Sequence, residues 1–139
     1  MSDAIKIDGL TQFAKRIKEI DADLPKTLRL GLNTVANLVV DAARPRIPSR
    51  SGKARGSVKA ASLRDKVRVK AGGGKAPWYP WLDYGGQGRI KGRPAKRPFV
   101  KTGRYLYPAY FKLRDSGEMM TKITDVLLDT VRAAGIEVD

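Results

Sequence analysis

From Leu24 to Ala43 the apolar residues return at three- and four-residue intervals: Leu24, Leu28, Leu32, Val35, Ala36, Val39, Val40 and Ala43. A stripe with that spacing predicts an amphipathic helix buried along one face for its whole length. Asp23 and Pro25 supply a start, an acidic cap followed by a ring tolerated in the first turn. Pro45 and Pro48 supply an end. The rest of the fold has to be arranged around this rod.

The flanking patterns are shorter. Leu10, Phe13, Ile17 and Ile20 fall at helical spacing opposite Lys15, Arg16, Lys18 and Glu19, predicting a first helix over about residues 9–21. Ile5-Lys6-Ile7-Asp8 alternates like a short strand. Residues 49–57 are small and basic and carry no periodicity. Residues 58–63 read as a strand and Arg64-Asp65 as a turn. Val67, Val69 and Ala71, alternating with Arg68 and Lys70, read as a strand with one wet face. Gly72-Gly73-Gly74 breaks it. The aromatic run at residues 78–84 reads as a third strand, with Pro80 at an edge or bulge. Met119, Met120, Ile123, Val126, Leu127, Val131 and Ala134 mark a C-terminal amphipathic helix stopped by Gly135. Asp115 and Glu118 suggest a break near residue 115, and Pro108 a first turn or a kink. The expected architecture is α+β in one domain, residues 1–139: two N-terminal helices, a small antiparallel sheet of three to four strands, and the C-terminal helix.

The charge is distributed unevenly over this plan. Residues 44–114 hold twenty basic residues and two acids, Asp65 and Asp83, whereas residues 1–43 hold six of each sign. Residues 115–139 hold two basic and six acidic residues. The overall charge is +14. So lopsided a distribution speaks of partners rather than of fold: the middle meets a polyanion, or opposite charge on a neighbouring subunit, or is heavily solvated.

Several classes of function are disfavoured. Without Cys there is no disulfide or thiolate chemistry, and without His the commonest general base and transition-metal ligand are missing. Gly72-Gly73-Gly74-Lys75 fails as a phosphate loop, with Val69 in place of the first glycine and Ala76 after the lysine. Gly86-Gln87-Gly88 has Lys91 where a dinucleotide fingerprint needs its third glycine. Asp65 and Asp83 lack acidic neighbours and are expected to pair with nearby Arg or Lys. No enzymatic role, metal or cofactor is expected. No apolar run approaches the roughly 18 residues that would span a bilayer, and the N-terminus lacks the layout of a signal peptide. A cytoplasm-like compartment is expected, unless the chain leaves within a larger particle.

Two features remain open. Trp78, Tyr79, Trp81 and Tyr84 read as core on one face and interface on the other, or as a stacking platform for bases. Residues 85–97 hold four glycines, five basic residues and no acid. They read as a long loop that grips phosphates, lies across an acidic neighbour, or is solvated. The acids of the C-terminal helix, Asp115, Glu118, Asp125, Asp129 and Glu137, are a candidate counterpart in a ring of like subunits.

Four motifs occur in order: Ala43-Arg44-Pro45-Arg46-Ile47-Pro48 after two helices, Ser51-Gly52-Lys53-Ala54-Arg55-Gly56-Ser57-Val58, Pro77-Trp78-Tyr79-Pro80-Trp81-Leu82-Asp83-Tyr84-Gly85, and Arg97-Pro98-Phe99-Val100 followed by Leu106-Tyr107-Pro108-Ala109. Together they resemble the small neck or tail-completion proteins of long-tailed phages, whose genes lie between those for head closure and the tail tube. Ala54 stands where that family has leucine, and Asp83 where it has a glutamate. The resemblance implies a virion subunit, assembled in the host cytoplasm. It implies a homo-oligomeric ring, expected to be six-fold, between head-closure and tail proteins, through which double-stranded DNA passes, with no membrane partner. From the motifs and the charge map, the expected subunit interface is Trp78, Trp81, Asp83, Tyr84, Arg97 and Phe99. The expected arm toward DNA or a neighbour is Arg89, Lys91, Arg93, Lys96 and Arg97. Two alternatives are a tail-terminator ring capping the tail tube and a free, non-specific nucleic-acid-binding protein.

Overall fold

The computed structural model describes residues 2–5, 7–48, 51–90 and 92–136. Its elements run β1 (Ser2–Ile5), α1 (Leu10–Ile20), α2 (Leu24–Ala43), α3 (Lys53–Ser57), β2 (Lys59–Ala60), β3 (Val67–Lys70), α4 (Tyr79–Tyr84), β4 (Gly86–Ile90), β5 (Arg93–Arg97), α5 (Leu106–Ser116) and α6 (Glu118–Ala133). The fold is α+β, as the patterns predict.

The apolar stripe is the axis of the molecule. Every one of its residues is buried in α2, which packs against β2 and β3 on one side and α1, α5 and α6 on others. Pro25 sits in the first turn, as read. Asp23 does not act as the side-chain cap; instead the Asp21 carboxylate accepts a hydrogen bond from the Asp23 N–H at 2.9 Å, closing the turn before the helix. In α1, Leu10, Ala14 and Ile17 face the core, while Ile20 at the last turn is exposed. α6 approaches α2 so closely that a Cβ on Gly31 would lie 2.6 Å from Val126 Cγ1.

A three-stranded antiparallel sheet, in the order β1-β3-β2, covers α2. Val67 and Val69 point into the core and Lys70 is exposed, the expected alternation. The strand expected at 58–63 shortens to two residues where side chains interrupt the ladder, although Ala61 N–H still donates to the Arg68 carbonyl at 2.9 Å. Ser62 N–H donates to Asn33 Oδ1 of α2 at 2.7 Å, and Ser62 Oγ accepts from Arg68 N–H at 3.1 Å. Leu63 and Lys66 bridge around the Arg64-Asp65 turn. The N-terminal strand lies at Ser2–Ile5, earlier than the alternation suggested, with Lys6 outside the described residues. The basic stretch after α2 contains the short helix α3, and Ser49 and Arg50 lie outside the described residues. The C-terminal helical region is two helices broken at Gly117, whose φ is +83°.

Candidate functional site

Within residues 78–84, Tyr79–Tyr84 form the helix α4 rather than a third strand, with Trp78 at its N-cap. Pro80 belongs to its first turn, the one helical position where a missing N–H costs nothing. The four-residue spacing then puts Tyr79 and Asp83 on one inward face, and both are almost wholly buried. The Tyr79 hydroxyl donates to Asp83 Oδ2 at 2.9 Å. Burial, reinforced by the Asp83 charge, pushes that hydroxyl well above the usual tyrosine range. Asp83 Oδ1 accepts from the backbone N–H groups of Arg104, at 2.6 Å, and Tyr105, at 3.0 Å, at the start of α5. A carboxylate facing the N-terminal end of a helix is favoured by both the free donors and the helix dipole. Among the described residues Asp83 makes no salt bridge with Arg or Lys, contrary to expectation.

This buried carboxylate is the root of an arm. Residues 85–97 do not form a structureless loop. β4 and β5 pair as a hairpin, Gly86 opposite Arg97 through Ile90 opposite Arg93, and a two-residue connection contains Gly92 at φ +77°. A positive φ in a two-residue turn matches the twist of the strands it joins. Both feet of the hairpin are tied to the clamp. Gly85 ends α4 at φ +85°, where a Cβ would meet the Pro98 carbonyl oxygen at 2.1 Å. Val100 N–H donates to the Tyr84 carbonyl at 2.8 Å. The Arg104 guanidinium donates to the Asp83 carbonyl at 2.9 Å and also to the Pro98 carbonyl. Gly103, at φ +77°, leaves no room for a side chain beside Asp83 Oδ1.

Pairing sorts the arm residues by face. Gly86, Gly88, Ala95 and Arg97 share the face toward Trp81. A Cβ on Gly88 would strike that indole ring at 2.4 Å, and Trp81 Nε1–H donates to the Gly86 carbonyl at 3.2 Å. The Arg97 guanidinium lies 5.7 Å from the Trp81 ring centroid and donates to the Tyr105 hydroxyl at 3.1 Å. Arg97 is thus held by side chains of its own chain, unlike the other described arm cations. Arg89 and Lys96 occupy the opposite, exposed face with Gln87 and Pro94, and Arg93 is exposed near the tip. Lys91 lies outside the described residues.

The expected interface residues divide in the same way. Phe99, 70% exposed, and Trp78, 41% exposed, are offered to solvent at the two ends of α4. Trp81 and Tyr84 are half-buried. Asp83, 1% exposed, cannot touch a neighbour with its side chain. Sequence reasoning missed Tyr79, Gly85, Gly103 and Arg104, which build the clamp with Asp83. The Tyr79/Asp83 spacing was the available signal.

Among the described residues the salt bridges are Arg114–Asp115 and Arg132–Asp129, both exposed and both in the C-terminal helical region. No group of three or more His, Cys, Asp or Glu side chains among them could hold a metal ion, and no helix of these residues is long and apolar enough to cross a membrane. Comparison of the chain with protein-family models, with curated proteins and with solved structures found no match.

Proposed function

We propose that this chain is a structural subunit of a tailed-phage virion, closing into a six-fold ring at the head–tail junction through which double-stranded DNA passes. One observation carries the reading. The basic hairpin is rooted by a buried, fully hydrogen-bonded carboxylate, yet its outer face packs on nothing in its own subunit. Arg89, Arg93 and Lys96 are exposed without salt-bridge partners among the described residues, and Phe99, two residues past the end of the hairpin, is mostly in water. A solvated loop has no need of such a root. An arm that must reach a neighbour at a fixed angle does, because ordering it in advance lowers the entropic cost of association.

The motifs of the phage resemblance fall on this clamp: Tyr79, Asp83 and Gly85 lie in one, Arg97, Pro98 and Phe99 in another. α6 offers Glu118 and Asp125 without salt-bridge partners among the described residues, a complementary surface for a head-to-tail contact. The free nucleic-acid-binding reading is favoured by the same exposed cations but leaves Phe99 unexplained.

Sedimentation of purified chain separates the two. The ring reading expects a multi-copy species that the triple charge reversal R89E/R93E/K96E returns to single copies. An unchanged sedimentation profile for that variant would refute the arm's role.

A further inference from the structure

A second cationic surface is built from elements outside the hairpin. Residues 42–64 and 66–82 contain no acid, and the fold packs these two segments against each other. α3 lies against the 3₁₀ turn Gly73–Lys75, and Ser57 Oγ accepts from Gly72 N–H at 3.0 Å. β2 and β3 pair with Lys59 directly opposite Lys70. Directly opposed side chains share a face with Cβ atoms about 5 Å apart, and like charges so placed are destabilising. Two residues further in sequence on each side, just outside the strands, is the Ser57–Gly72 bond. Beyond it, Lys75 Nζ lies over Gly56, 3.3 Å from where a Cβ would stand. Lys53, three residues before Gly56, shares that helical face. All four lysines are exposed, and none has a salt-bridge partner among the described residues.

We infer that Lys53, Lys59, Lys70 and Lys75 form a binding site for the phosphate backbone of duplex DNA, separate from the hairpin. The assignment deepens the ring reading, resting on its claim that DNA passes the assembled subunit. Ammonium groups are compact point charges that neutralise phosphates without reading bases, which suits DNA that slides past. A row of phosphates would relieve the Lys59/Lys70 repulsion. Nucleic acid fits better than an acidic protein because none of α3, β2, β3 or the 3₁₀ turn carries an exposed large apolar side chain. Protein interfaces place such residues at their centre.

The test is fluorescence anisotropy of a random-sequence duplex with the full chain across a salt series. Each phosphate contact contributes about 0.9 to the slope of log affinity against log salt, so K59Q/K70Q/K75Q should flatten it by about 2.7. The wild-type chain should then lose roughly forty-fold more affinity than the variant between about 50 and 200 mM salt. Lys112→Gln, which removes an exposed cation of α5 outside both the lysine site and the arm, should keep the wild-type slope. If the triple lysine variant melts early, Lys75→Gln alone should flatten the slope by about 0.9. An unchanged slope in the lysine variants overturns the assignment, as does equally tight, equally lysine-dependent binding of poly-glutamate. Sedimentation of the same samples keeps the two claims apart. Intact assemblies with an unchanged slope sink this site and leave the ring. Single copies whose DNA binding still depends on the lysines sink the ring and leave the site.

Discussion

Replacing Asp83 by asparagine keeps the shape of the clamp and removes its charge. The carboxylate is 1% exposed and accepts three hydrogen bonds, from the Tyr79 hydroxyl and from the N–H groups of Arg104 and Tyr105. An amide can point its oxygen at the two backbone donors and its NH₂ at the Tyr79 oxygen, which leaves the buried Tyr79 hydroxyl hydrogen without its acceptor. What is lost is the charge assistance, about 1 kcal/mol per backbone bond, and about 1 kcal/mol for the unpaired hydroxyl, or about 3 kcal/mol in all. Alanine instead leaves two buried N–H groups and a buried hydroxyl unsatisfied, and should cost about 4 kcal/mol. For a chain of this size a kilocalorie shifts the midpoint by about 3–4 °C. Asp83→Asn should therefore melt about 9–12 °C below wild type and Asp83→Ala about 12–16 °C below. Circular dichroism at 222 nm reads both. Trypsin should also cut the hairpin faster in the alanine variant under native conditions, since the feet of the arm are released. A midpoint within 1 °C of wild type for both variants would mean that the carboxylate does not hold the arm.

Three further outcomes follow from the same geometry. Tyr79 holds its proton more tightly folded than unfolded, so the unfolded chain ionises first. Stability from this group is intact below about pH 10 and falls above it by about 1.4 kcal/mol per pH unit. Tyr79→Phe should flatten that alkaline loss in denaturant titrations, and parallel pH curves would refute the assignment. Gly85→Ala combines a positive φ with a collision against the Pro98 carbonyl, and should cost at least about 2–3 kcal/mol. Gly92→Ala, at positive φ with open space around it, should cost about 1 kcal/mol; equal melting points for the two would contradict the clamp. Gly31→Ala drives a methyl into Val126, and its overpacking, about 1–3 kcal/mol, should outweigh the gain in helix propensity of about 1 kcal/mol. In a double-mutant cycle, adding Gly31→Ala on a Val126→Ala background should no longer destabilise, whereas purely additive effects would show that the helices do not meet there.

The elements legible in the sequence are those whose burial is one-sided and long enough to leave a period. α2 and α6 show 3.6-residue stripes, and β3 shows clean alternation. The misreadings fall where one residue type serves two structures. Pro80 is as much at home in a helix's first turn as at a strand edge, and the aromatic content of residues 78–84 pulled the reading toward a strand. The glycines of residues 85–97 suggested a loop by composition, although Gly88 is there to admit the Trp81 ring and Gly92 to close the turn. Asp83 was expected to find a cation, because a sequence shows charges but not which backbone donors the fold will bring. Arg104 lies twenty-one residues away in the chain and reaches the carboxylate by its amide, not by its charge.

Class averages from negative-stain electron microscopy of the purified chain, alone and with the arm charges reversed at Arg89, Arg93 and Lys96, bear most directly on the proposed assembly. Closed rings with an opening wide enough for a DNA duplex, lost in the variant, are the outcome expected of an arm built to hold a neighbour. Single-copy particles at every concentration, with or without duplex DNA, would contradict it.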